Sequence, residues 1–154
     1  IAQQRPPLKG DVVKRLLLIL SMLALVLLPI GCNVQSMLQS TIESALAGIR
    51  ANYTIEVTDA EGFNFTGRYV VVQAAYDPVN YVAFNSTSTD VSGNVSAQYT
   101  VTDATEVGAM IQKLSTGNET LTVKIWRGPV GSTLVDSDST TNPFGAVLVT
   151  AVKE

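Results

Sequence analysis

The pattern of apolar and polar positions divides the chain into three regimes. Residues 1–10 combine Pro6-Pro7 and Gly10 with polar side chains and read as an extended lead-in. Leu16 to Ile30 carries no charge and, apart from Ser21, no polar side chain. Such a run is apolar all the way round, unlike the single buried face of a soluble helix. About fifteen residues at ~1.5 Å rise span roughly 22 Å, short of the ~20 residues a bilayer core asks for. Val12, Val13, Gly31, Cys32 and Val34 bring it to a marginal span. The run is therefore one buried in lipid, a cleaved signal peptide, or one packed against other copies of itself.

From Asn33 to Arg50 the apolar positions Val34, Met37, Leu38, Ile42, Ala45, Leu46 and Ile49 recur at helical spacing. Gln35, Ser36, Gln39, Ser40, Glu43 and Ser44 take the other face. Together the two stretches predict one helix over 11–51, apolar and then amphipathic. Asp11 lies near its positive end and Pro29 loosens a turn within 25–31.

Beyond Asn52 the period becomes two. Tyr53, Ile55 and Val57 alternate with Thr54, Glu56 and Thr58 in a first strand. Further strands are expected from Phe63 to Tyr76, with Gly67 a bulge, at 81–88 and at 95–101. The remaining ones are placed at 121–126, 133–135 and 146–152, with turns at Asp77-Pro78 and Gly128-Pro129. Asp103 and Glu106 have capping-box spacing, and Val107, Met110, Ile111 and Leu114 recur like a helix, so a short helix is expected at 104–115. The predicted fold is a long N-terminal α-helix followed by an all-β, immunoglobulin-like sandwich over 52–154, with about seven strands and that one short helix.

Charge adds a direction. Residues 1–15 carry Arg5, Lys9, Lys14 and Arg15 against Asp11, a balance of +3. Residues 33–154 carry six basic and twelve acidic groups, a balance of −6. A basic flank before an apolar span and an acidic body after it fit an inserted helix whose body is exported. The acidic body argues against nucleic acid as a partner. Five Asn-X-Ser/Thr sequons, at Asn52, Asn64, Asn85, Asn94 and Asn118, all follow the apolar run and are the candidate glycosylation sites. Cys32 is the single cysteine, so no disulfide forms within one chain. Leu28-Pro-Ile-Gly-Cys32 loosely resembles a lipoprotein box, which makes Cys32 a candidate for lipidation, although Pro29 and Ile30 depart from the small residues such a box uses. The chain opens on Ile1 rather than Met, so residues are expected to have been removed ahead of it. The retained apolar run argues against cleavage before Cys32.

Catalytic patterns are few. With no histidine there is no Ser-His-Asp triad and no Cys-His pair, and no phosphate-binding glycine loop occurs. Asp136, Asp138 and Asn142 alternate faintly like a calcium loop, but its glycine and terminal glutamate are missing, and the segment reads as a solvated loop. Trp126 and the tyrosines read as core or strand-face residues. No enzyme, cofactor or metal is expected.

An apolar helix leading into an amphipathic one, followed by a sequon-bearing β domain, resembles an archaeal type IV pilin or a related archaeal filament subunit. Lys9-Gly10-Asp11-Val12 is similar to the site at which such precursors are cut. The resemblance implies a homopolymer: the helices bundle in a filament core and the β domains coat it. Leu16, Leu17, Leu18, Leu20, Leu23, Leu25, Leu27, Leu28, Val34, Met37, Leu38 and Ile42 would then pack between subunits. The chain would sit in the cell membrane before assembly and afterwards in an extracellular, adhesive filament. The alternative is a single-pass or lipid-anchored surface glycoprotein with a β-sandwich binding domain.

Overall fold

The computed structural model describes residues 34–59 and 62–153. They form one helix, α1 (Val34–Ile49), and eight strands: β1 (Ala51–Asp59), β2 (Asn64–Asp77), β3 (Tyr81–Asn94), β4 (Ser96–Ala104), β5 (Glu106–Lys113), β6 (Leu121–Arg127), β7 (Thr133–Thr140) and β8 (Ala146–Val152). The strands make two antiparallel four-stranded sheets, one ordered β4-β1-β6-β7 and the other β3-β2-β5-β8. From Gln39 onward the chain is one compact unit, of which the first helical turn, Val34–Leu38, is not part.

Period-two alternation builds the core. Tyr53, Ile55 and Val57 of β1 and Leu121, Val123 and Ile125 of β6 turn inward from the first sheet. Phe65, Val107, Ala109, Ile111, Val147 and Val149 meet them from the second. Fully burying each large aliphatic or aromatic chain contributes about 1.5–3 kcal/mol. Gly67 and Gly93 admit close approach. A Cβ at Gly93 would sit 2.6 Å from the Phe65 ring, which lies across the ladder as its register partner.

Several expectations are corrected. A single helix over 11–51 is not supported: the described helix is 16 residues long, and the chain is already strand at Ala51. Ties around Arg50 mark the change. Arg50 Nε donates to the Ala74 carbonyl at 2.9 Å, Arg50 Nη2 reaches Glu43 at 3.3 Å, and Lys153 Nζ donates to the Arg50 carbonyl at 2.9 Å. Residues 11–33, with the bend expected at Pro29, lie outside the described residues.

The short helix at 104–115 is a strand. Val107, Ala109, Ile111 and Lys113 are buried while Glu106, Met110 and Gln112 are exposed, and β5 pairs with both β2 and β8. The helical spacing of Val107, Met110, Ile111 and Leu114 was incidental to strand pairing on both sides. Ending the inward row on a lysine hid the alternation.

The immunoglobulin-like arrangement of about seven strands gives way to eight strands, four in each sheet. β3 runs unbroken through the loop expected at 88–93, and β7 extends into the loop expected after Asp136. Gly67 makes no bulge. The register is continuous there, and the glycine instead lets β2 lie against the Met110 carbonyl and Ile111.

Candidate functional site

All five sequon asparagines are exposed. They divide between the two ends of the sandwich. Asn64 and Asn94 are register partners on β2 and β3, and Asn118 lies in the loop between β5 and β6. These three mark the end away from α1. Asn52, on β1, and Asn85, within β3, belong to the end where Arg50 and Lys153 tie the helix to the strands. The Asn52 Oδ1 accepts the Asp103 amide at 3.1 Å, next to the register shift between β1 and β4, so its carbonyl already has a structural partner.

The residues expected to pack between subunits are split by their position. Leu16, Leu17, Leu18, Leu20, Leu23, Leu25, Leu27, Leu28 and Cys32 lie outside the described residues. On α1, Met37 is 56% exposed and Leu38 is half-buried. Ile42 is buried, as is Leu46.

Several features had no sequence signal. Lys113 is fully buried, and its ammonium donates to the carbonyls of Gly117 (2.7 Å), Glu119 (2.8 Å) and Thr141 (3.3 Å). The Glu119 carboxylate stands 3.6 Å away and the Phe63 ring 5.4 Å. A buried charge is tolerable only when so completely hydrogen-bonded. Glu119 is held below the usual carboxylate range by its own backbone amide and by the Ser115 hydroxyl, with Lys113 adding to the effect. The inward position of Lys113 follows from its parity with Val107, Ala109 and Ile111 only once β5 is known to be a strand, and the ring of carbonyls has no local signal at all. Inside the first sheet, Tyr53 Oη and Arg127 Nε, on paired residues, have no hydrogen-bond partner among the described residues.

The outer face of the β3-β2-β5-β8 sheet carries an apolar depression of ≈ 210 Å³ lined by Arg68, Val70, Met110 and Leu148. Arg68 Nε donates to Asp90 at 2.6 Å, and this pairing lowers the Asp90 pKa and raises that of Arg68. Trp126 is half-buried on the other sheet and donates through Nε1 to Glu56 at 2.9 Å. Desolvation, with Tyr69 nearby, pushes the Tyr99 phenol up.

Asp136 and Asp138 are both engaged by backbone amides. Their carboxylates accept the Ser137 and Ser139 amides, each at 2.8 Å, and Asp136 Oδ2 also accepts the Thr150 amide of β8 at 2.8 Å. Among the described residues no three acidic or thiol side chains gather to hold a metal ion, and no helix is long and apolar enough to cross a membrane. No protein-family model, curated protein or solved structure matches the chain.

Proposed function

We propose that this chain is a structural subunit that polymerises through its N-terminal apolar segment into an extracellular filament, with the sandwich facing outward. One observation carries the reading. A charge-free run of fifteen residues, Leu16 to Ile30, precedes a body that is complete in its own core and displays all five sequons on its surface. Identical runs packed side by side would remove that segment from water. The membrane holds the segment before assembly. The acidic, Ser/Thr-rich exterior keeps the finished fibre soluble.

A second reading, a surface glycoprotein anchored singly in the membrane, is favoured by the apolar depression around Val70, Met110 and Leu148, which would then receive a ligand. Deleting residues 1–31 separates the two. The filament reading expects soluble monomers and no fibres on sheared cell surfaces. The anchored reading expects no fibres from the full-length chain either, and a ligand that stays bound after the deletion.

A further inference from the structure

We propose that N-linked glycans at Asn85 and Asn94 guard an otherwise bare sheet edge, and that they prevent β3 of one copy from pairing with β3 of another. This rests on the extracellular reading above, because the glycosylation machinery acts on exported chains.

The two flanks of the sandwich are protected differently. At one flank β7 and β8 pack together. There Asp136 and Asp138 occupy the Ser137, Ser139 and Thr150 amides and place negative charge along the edge. Charged side chains on an edge strand are a standard defence against pairing with a second sheet.

The opposite flank, made by β3 and β4, has little of this. β3 pairs with β2 through 14 residues without a register shift, an edge of roughly 46 Å at the usual rise. It contains no lysine, arginine or proline, and its one charge, Asp90, is engaged by Arg68 on the neighbouring strand. Tyr81 and Phe84 are exposed along it. A long, regular edge rich in serine and threonine is a template for another strand.

Two of the five sequons stand on this bare flank: Asn85 within β3, and Asn94 at the turn into β4. β7 and β8 carry none. Asn85 also lines a polar notch of ≈ 230 Å³ with Gln73 and Asp103, so a sugar attached there leaves through the gap between β3 and β4. The modification is a group transfer from a lipid-phosphate-linked oligosaccharide. The asparagine Nδ2 forms a bond to the anomeric carbon and the bond from that carbon to the phosphate oxygen breaks. The lipid phosphate leaves with the electron pair, and one amide proton passes to base.

The test uses the full chain from cells that make it. Glycopeptide mass spectrometry is expected to find sugar on Asn85 and Asn94. The double variant Asn85→Gln/Asn94→Gln, and separately Thr87→Ala/Ser96→Ala, which removes the sequons but keeps the asparagines, should raise the sedimenting, dye-binding fraction several-fold while the urea midpoint stays put. Adding Ser88→Lys, a charge on the bare edge, should reverse the rise. Unmodified asparagines at both positions, variants as dispersed as the parent, or clumping that Ser88→Lys leaves unchanged would each overturn the proposal. None of these readouts depends on fibres, so a chain that sits singly in the membrane defeats the filament reading and leaves this one to be decided on its own data.

Discussion

At the scale of single residues, the sandwich depends on a few positions whose chemistry is out of the ordinary. Lys113 gives its ammonium to three carbonyls in a site closed to solvent. Lys113→Met keeps the stem and orphans those carbonyls, so urea unfolding should report a loss of about 3 kcal/mol. Gly93 lies under the Phe65 ring. Gly93→Ala should cost about 1–3 kcal/mol as an overpacking change, and much less when Phe65→Ala is already present, because the two residues share one contact.

Asp77 takes the Val79 and Asn80 amides at 2.8 and 2.6 Å, which lowers its pKa beneath the ordinary value of 3.8. A depressed acid contributes stability above its unfolded-state pKa and loses it as pH falls through the folded one. The difference in stability between the parent and Asp77→Asn should therefore be full at neutral pH and fade as pH drops below 3.8. Much of this was readable from the chain, since Asp77-Pro78-Val79-Asn80 is a turn by composition alone. The cage around Lys113 was not, because its carbonyls come from a loop and from Thr141, 28 residues away.

At the scale of elements, alternation carried further than helical spacing did. β1 and β6 were legible because their inward positions, Tyr53, Ile55, Val57 and Leu121, Val123, Ile125, are large and apolar, and β8 because its residues are apolar throughout except Thr150. β5 was misread because Gly108 and Ala109 are small, Met110 points outward, and the inward row ends in a charge. The α1 stripe is helical from Val34, and along it Ile42 and Leu46 are buried while Met37 stays exposed. Which partner a stripe packs against is not written in its period. Leu46→Ala should remove about 2–4 kcal/mol and raise amide exchange across residues 39–49 more than in β1 or β6. The strand lengths were underestimated at β3 and β7, where serine, threonine and aspartate read as loop but pair as strand. Pairing supplies the backbone partners that local composition cannot reveal.

At the scale of the whole molecule, the charge division and the apolar front are the dominant facts. A segment balanced at +3 precedes the uncharged run, and a body balanced at −6 follows it. If the filament reading is right, placing lysine at Leu20 and Leu23 should abolish assembly while leaving the body's unfolding midpoint unchanged, because an unpartnered charge buried among apolar side chains is strongly unfavourable. The most direct measurement is an electron cryomicroscopy reconstruction of the assembled protein taken from cell surfaces. The account predicts density for residues 16–30 from many copies in mutual contact along an axis, with the sandwiches arranged around it. A single subunit whose apolar run touches only lipid or detergent would contradict it.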